Sequence, residues 1–236
     1  MTKLVINIDK VATLHNSREG NVPDVLKAAT DCQLFGADAI AVHARPDASH
    51  VKYADVLDLR NVVNSEFHIE GYPSKEFIDL VQKAKPNQVT LVPDALVSNA
   101  GWNFDKNIDF LREVIDEMQP FGVRIALFVE PDAASVEMAA KVGADRVQLY
   151  MGGYAATFEK NANAAVAPYI ETAKVALNLG LGVNAGHGLN LRNLPFLHQN
   201  IGWLKEVSVG HSFVSDALYY GFEKTVSLYK ECLNHE

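Results

Sequence analysis

The sequence has few cysteines, no excess of basic residues and no long apolar runs, and each shortage excludes a class of protein. The two cysteines, Cys32 and Cys232, are far apart and form neither a disulfide framework nor a metal-binding motif, which favours a reducing cytoplasm. The formal net charge of −8 argues against nucleic-acid binding, because phosphate contacts need a basic face. No apolar run approaches the roughly 18 residues of a membrane helix, and the first residues do not resemble a signal peptide.

Linkers and several familiar catalytic motifs are also missing. The 236 residues, of which 48% are hydrophobic and 21% charged, predict one globular domain spanning 1–236. There is no G-x-G-x-x-G turn, no Walker loop and no serine elbow. No two histidines have the HxH or HExxH spacing of a metal site. We therefore expect neither a nucleotide site of these types nor a metal site.

Eight short apolar runs alternate with longer helical patterns. Most of the runs are almost continuously apolar, which is typical of parallel strands buried on both faces. The spacing of roughly 30 residues is that of a βαβ unit, and eight such units close into a (β/α)8 barrel. An open doubly wound sheet is the alternative, but it normally carries a glycine-rich turn after its first strand. The predicted strands are Leu4–Ile8, Ala39–His43, Phe67–Glu70, Gln88–Val92, Arg124–Val129, Arg146–Tyr150, Gly182–Asn184 and Glu206–Val209.

Eight helices are predicted between and after these strands, from apolar residues at helical spacing. They are Pro23–Phe35, Asp55–Val63, Ser74–Lys85, Asp105–Met118, Asp132–Val142, Asn163–Leu179, Leu191–Asn200 and Ser212–Leu233.

Polar residues stand at the end of every predicted strand, where a barrel carries its chemistry. His43 and Glu70 end neighbouring strands, and His187 follows the seventh strand. A histidine and a carboxylate on one rim suit general acid–base catalysis. The alternative is a buried His–Glu pair that only stabilises the barrel.

Two glycine-flanked histidines indicate anion binding after strands seven and eight. Ala185–Gly188 reads AGHG, and Val209–Ser212 reads VGHS, with Gly210 and His211 where the last helix should begin. Glycines allow backbone N–H groups to approach a phosphate, and a helix N-terminus favours negative charge. Arg18 and Arg45 are candidate anion clamps. The alternatives are two ordinary turns that carry histidine and, for Arg18, a solvated loop position.

Several motifs together resemble those of the pyridoxine 5′-phosphate synthase family. They are INIDKVATLHNSREG (Ile6–Gly20), AVHARPDASHV (Ala41–Val51), IEG (Ile69–Gly71), VNAGHGLN (Val183–Asn190) and SVGHSFVSDAL (Ser208–Leu218). The resemblance implies a (β/α)8 barrel, usually an octamer built from dimers, that needs no metal and no redox cofactor. It also implies two phosphorylated substrates, 1-deoxy-D-xylulose 5-phosphate and 3-amino-2-oxopropyl phosphate. These condense to pyridoxine 5′-phosphate, inorganic phosphate and water.

The same resemblance implies roles for individual residues. His43 and Glu70 would be proton acceptors and His187 the proton donor. Gln148 stands where the family has a glutamate thought to stabilise a transition state. The implied substrate contacts are Asn7, Asp9, Lys10, Arg18, Arg45, His50, Ser98, Gly188, Gly210 and His211.

Three segments depart from the family pattern. Lys10 replaces a histidine, Asp94-Ala95-Leu96 replaces E-K-R, and Gln148-Leu149-Tyr150 replaces E-x-H. These changes leave open a divergent paralogue that binds a phosphorylated B6-like ligand with little or no synthase activity. A third possibility is another phosphate-sugar barrel enzyme. An aldolase would need a Schiff-base lysine, and Lys10 is the only lysine close to a strand end.

Overall fold

The computed structural model describes residues 1–47, 49–93 and 100–234, and within them eight parallel strands close into a barrel in chain order. The predicted (β/α)8 fold is confirmed, and each predicted strand is found within two residues of its expected bounds. The strands are β1 (Lys3–Asn7), β2 (Ala39–His43), β3 (Glu66–Gly71), β4 (Gln88–Leu91), β5 (Arg124–Val129), β6 (Arg146–Tyr150), β7 (Gly182–Gly186) and β8 (Glu206–Val209).

Helices surround this barrel on the outside. Most pack an apolar face against the strands, as in α4, which buries Phe77, Leu80 and Val81. They are α1 (Asp9–Asn16), α2 (Val25–Leu34), α3 (Tyr53–Val62), α4 (Lys75–Ala84), α5 (Phe104–Met118), α6 (Ala133–Lys141), α7 (Gly152–Thr157), α8 (Ala162–Asn178), α9 (Leu194–Asn200), α10 (His211–Tyr220) and α11 (Phe222–Glu231). Among the described residues, none of these helices combines the length and the apolar character needed to cross a bilayer.

The structure corrects the helix prediction at the C-terminal end. The single helix predicted over Ser212–Leu233 is wrong, because α10 and α11 are separated at Gly221. This glycine has a φ of 74°, a left-handed conformation that interrupts a right-handed helix and favours glycine. Two short helices, α1 and α7, have no counterpart in the prediction. α7 begins with two glycines, which have low intrinsic helix propensity.

Residues two apart on a strand share a face, and the residues that face into this barrel are largely polar. On β3 the inward residues are Glu66, His68 and Glu70, and on β6 they are Arg146 and Gln148. The apolar residues of the same strands face the helices and form the main hydrophobic core. Polar and ionisable side chains therefore line the interior from the N-terminal to the C-terminal ends of the strands.

At the N-terminal end of the strands, an ion-pair network fills the barrel. Glu66, His68 and Glu206 place ligand-type atoms within 4.8 Å of one another, a spacing that can hold a metal ion. However, Arg124 and Lys3 contact Glu66, and Arg146 contacts Glu206. The carboxylates thus already have positive partners, which would repel an added cation. His68 is buried within this network.

Candidate active site

A cavity of about 620 Å³ opens at the C-terminal ends of the strands, where barrel active sites lie. Its walls come from strand ends and from the loops and helix starts that follow them. The lining residues are Asn7, Asp9, Lys10, His43, Arg45, His50, Glu70, Val92, Phe128, Gln148, His187, Gly188, Leu189, Ser208, Val209, Gly210, His211 and Ser212.

His43 and Glu70 lie side by side on one wall because β2 and β3 pair in register at these two positions. The backbone N–H of His43 donates to Oδ1 of Asp9 over 2.8 Å, which holds the start of α1 against the end of β2. Asn7 accepts a hydrogen bond from the backbone N–H of Asp9 at 2.9 Å. The ends of β1, β2 and β3 are therefore fixed relative to one another by these contacts.

Two carboxyl groups in this wall have pKa values raised towards neutrality. Burial raises the pKa of Glu70 to about 7, the nearby charge of Asp9 adds to the increase, and a hydrogen bond from Gln148 opposes it. Burial also raises the pKa of Asp9 to about 6, against the opposing effect of the hydrogen bond from His43. A carboxyl group with a pKa near 7 is suited to exchange protons at neutral pH.

Two imidazoles of the cavity, those of His43 and His50, are kept in their neutral form. Burial, with the positive charge of Arg45, lowers the pKa of His43 to about 3 and that of His50 to about 4. The Nε2 atom of His43 is buried without a hydrogen-bond partner among the described residues, so it is available to accept a proton. Nζ of Lys10 lies 3.3 Å from Nε2 of His50, and a lysine ammonium at this distance donates to that nitrogen.

The loops after β7 and β8 also expose backbone at the rim. His187 has a φ of 72° and Gly188 a φ of 88°, so two successive residues are left-handed. Helix α10 begins at His211, and Gly210 precedes it as its N-cap. A Cβ at Gly210 would lie 3.2 Å from the Asn7 side chain, so glycine keeps this helix start open. Free N–H groups at such a terminus are a ready site for an anion.

The structure brings twelve of the fourteen predicted site residues to this one cavity. They are Asn7, Asp9, Lys10, His43, Arg45, His50, Glu70, Gln148, His187, Gly188, Gly210 and His211. Arg18 is not among them; it lies exposed on the turn after α1. Ser98 and the 94–96 segment lie outside the described residues.

Sequence reasoning missed several lining residues. Val92 and Phe128 are apolar, so nothing in their chemistry distinguishes them from core positions. Ser208 faces inward from β8, and the alternation of Glu206 and Ser208 was the available signal for it. Leu189, Val209 and Ser212 complete the set that was missed.

Comparison with known proteins finds relatives over almost the whole chain. The family model described as pyridoxal phosphate biosynthesis protein PdxJ matches residues 4–235. A Bacteroides fragilis protein named pyridoxine 5′-phosphate synthase is 58% identical over 236 residues, covering 99% of this chain and 100% of that protein. A Parabacteroides distasonis protein of the same name is 54% identical over 237 residues, with coverage of 99% and 100%. The solved structure of thiamine phosphate pyrophosphorylase from Pyrococcus furiosus has a TM-score of 0.62, covering 98% of this chain and 95% of that one; at 14% identity it supports the fold alone.

Proposed function

The chain belongs to the family of the pyridoxal phosphate biosynthesis protein PdxJ, and on that premise we propose that it is a biosynthetic enzyme that forms pyridoxine 5′-phosphate. The specific reaction in this proposal is the condensation of 1-deoxy-D-xylulose 5-phosphate with 3-amino-2-oxopropyl phosphate. The products are pyridoxine 5′-phosphate, inorganic phosphate and water. Building the pyridine ring requires protons to be taken from and given to carbon and oxygen in several steps.

The observation that carries the proposal is that His43, Glu70 and His187 all line one cavity. His43 and Glu70 share a wall because their strands pair in register there. Each of the three has a pKa displaced by burial, which is characteristic of groups used in proton transfer. The alternative of a merely stabilising His–Glu pair is less favourable, because a buried carboxyl with a raised pKa costs stability.

In this reaction Glu70 and His43 act as proton acceptors. His43 is neutral throughout the physiological range, and Glu70 is about half ionised near pH 7. Burial lowers the pKa of His187 as well, so this imidazole also starts neutral. As a general acid in its protonated form, His187 takes up a proton that the substrate releases in an earlier step and returns it to a leaving oxygen.

Two phosphorylated substrates need two anion sites, and the cavity offers two regions that fit. The N-terminus of α10, with Gly210 and His211, presents free N–H groups after β8. Arg45 and Lys10 supply positive charge beside His50, after β2 and β1. These two regions support a reaction between two phosphate esters rather than the rearrangement of one.

The direct test is to incubate the purified protein with both phosphorylated substrates and to measure formation of the pyridine product by absorbance and mass spectrometry. We expect product that requires both substrates and is lost in Glu70→Gln. No product at high enzyme concentration, with a folded protein, would overturn the proposal.

One observation favours a second candidate function, a paralogue that binds a phosphorylated B6-like ligand with little or no turnover. Gln148, which hydrogen-bonds to Glu70, is uncharged where the family pattern has glutamate. Calorimetry with pyridoxine 5′-phosphate distinguishes the two. Tight binding together with zero turnover would favour the paralogue. Turnover, or a failure to bind pyridoxine 5′-phosphate, would exclude the paralogue.

We further propose a cytoplasmic homo-oligomer. Leu218, Tyr219 and Tyr220 are large apolar side chains exposed together at the end of α10, and such a patch is typical of a protein interface. Cys32 and Cys232 are buried and unpaired, which fits a reducing compartment. Light scattering coupled to gel filtration tests the assembly, and a monomer at micromolar concentration would contradict it.

A further inference from the structure

His187 has no hydrogen bond to its ring within the described parts of the chain, although it lines the cavity and serves as the proton donor in the proposed function. A catalytic histidine is usually oriented by a hydrogen bond on its second ring nitrogen. Here the backbone is left-handed at His187, between Gly186 and Gly188. Glycines on both sides leave the loop without neighbouring side chains that would restrict the ring. Another group must therefore set its direction.

The ring of Tyr150 contacts the ring of His187. The two ring centroids are 5.0 Å apart, with an interplanar angle of 58°. The contact follows from topology, because Tyr150 ends β6 directly opposite Gly186 of β7, the residue before His187. On its other side, Tyr150 packs against Phe128 of the cavity wall at 5.6 Å and 54°. The tyrosine ring thus lies between a fixed wall and the histidine.

The Tyr150 ring also packs over Gly152, and its backbone is anchored by a hydrogen bond. A Cβ at Gly152 would lie 2.3 Å from both Cζ and Oη of Tyr150, which means that the ring occupies the space a side chain would take. The hydroxyl of Tyr169 donates to the Tyr150 carbonyl at 3.1 Å and accepts from the Tyr154 N–H at 3.0 Å. These contacts anchor the end of β6 and the start of α7 together.

We infer that Tyr150 is a positioning residue for the proposed proton donor: its ring sets the direction of the His187 imidazole by packing rather than by hydrogen bonding. This inference rests on the proposed function, because it needs His187 to act on substrate. No hydrogen bond to the Tyr150 hydroxyl is found among the described residues, so the ring, and not the hydroxyl, carries the effect.

The kinetic test compares Tyr150→Ala with the conservative Tyr150→Phe. We expect Tyr150→Ala to lower kcat about 10- to 100-fold while KM changes little, because a misdirected acid affects the chemical step rather than binding. Tyr150→Phe keeps the ring and should retain kcat within about threefold. The matched control is Phe110→Ala on α5, a partly buried aromatic that packs on Tyr72 and Trp102 and does not line the cavity. Equal kcat losses in Tyr150→Ala and Phe110→Ala would contradict the inference.

A double-mutant cycle and an NMR titration separate positioning from a general structural role. In a His187→Asn background, Tyr150→Ala should cost almost nothing further, because its effect acts through the missing imidazole. The pKa of His187, followed by NMR, should rise towards 6.5 in Tyr150→Ala as water reaches the ring, and stay in place in Tyr150→Phe. Multiplicative kinetic losses with an unchanged His187 titration would overturn the inference. Wild-type protein that makes no product would instead overturn the proposed function, and the titration still reports on the ring contact.

Discussion

Gln148 donates a hydrogen bond from Nε2 to Oε1 of Glu70 over 3.3 Å, from β6 across the barrel to β3. The amide is oriented, because Thr90 donates to its Oε1 at 3.5 Å and leaves the NH₂ group facing Glu70. The bond favours the ionised form of Glu70 and lowers its pKa, in opposition to burial. A glutamine at this position therefore tunes the neighbouring base.

Gln148→Glu should shift the Glu70-dependent rise of kcat/KM to higher pH by roughly one unit or more. The change removes a hydrogen-bond donor to Glu70 and adds a second carboxyl beside it, and both effects raise the pKa of Glu70. The pH dependence of kcat/KM measures the shift. Gln148→Met is the control, since it removes the donor without adding charge and should give the smaller shift. If the pH profile of Gln148→Glu coincided with that of the wild type, the group that titrates in the profile would not be Glu70.

The wild-type kcat/KM should rise as pH increases from about 6 to about 8 and then level off. Glu70 accepts a proton only when ionised, and its pKa is about 7, so the active form accumulates above that pH. His43 has a pKa lowered to about 3, so it stays neutral over this range and causes no further change in the pH profile. Rate measurements in overlapping buffers at constant ionic strength test this. A falling profile between pH 6 and 8 would reverse the proposed role of Glu70.

Glu70→Gln should stabilise the folded protein at pH 8 by about 1–3 kcal/mol, with the gain fading towards pH 4. The pKa of Glu70 is raised from 4.5 to about 7 on folding, so the native state binds more protons than the unfolded state between these values. The Glu70 contribution to stability therefore decreases as pH rises through this range, and glutamine removes the penalty. Urea denaturation at both pH values measures it. Glu113→Gln, on the exposed face of α5, is the control, and equal changes in the two variants would argue against a buried charge.

His187→Asn should lower kcat by about 10²–10⁴ with the fold intact, since general acid–base groups contribute on this scale. Asparagine tolerates the left-handed backbone that His187 adopts at a φ of 72°, so the loop keeps its shape. Steady-state kinetics and thermal denaturation are measured together. His187→Val provides the contrast, because a β-branched residue is strained there and should lower the melting temperature as well. An unchanged rate in His187→Asn would show that another group donates the proton.

Gly210→Ala should raise KM for a phosphorylated substrate by about tenfold, with a smaller effect on kcat. The new Cβ would lie 3.2 Å from the Asn7 side chain and crowd the start of α10, where the anion is proposed to bind. Gly202→Ala is the matched control, because its nearest neighbour would lie at an ordinary 3.8 Å and the residue is outside the cavity. Substrate titrations of both variants measure the KM values. Equal KM values for Gly210→Ala and Gly202→Ala would contradict phosphate binding at the start of α10.

The pattern of apolar runs was enough to predict the barrel, because buried parallel strands are apolar on both faces and recur at the length of a βαβ unit. It was not enough at α1 and α7. α7 begins with two glycines, but its Tyr154 is buried and donates to the Asn193 carbonyl in the loop after β7, so tertiary contacts outweigh propensity there. The break at Gly221 is also a matter of backbone conformation, which a helical spacing of apolar residues conceals.

By itself, the sequence determined the order of strands, the rim that carries polar residues and the twelve predicted residues that meet there. Strand periodicity and strand ends set the rim and its polar residues, whereas the family resemblance implied the roles of Asn7, Asp9, Lys10, His50 and Gln148. Only the tertiary structure decided that Gln148 reaches Glu70 across the barrel, that Asp9 is held by the backbone of His43, and that Tyr150 contacts His187. Barrel closure and strand register fix those distances, and the pKa of each buried group depends on neighbours that lie far away in the chain.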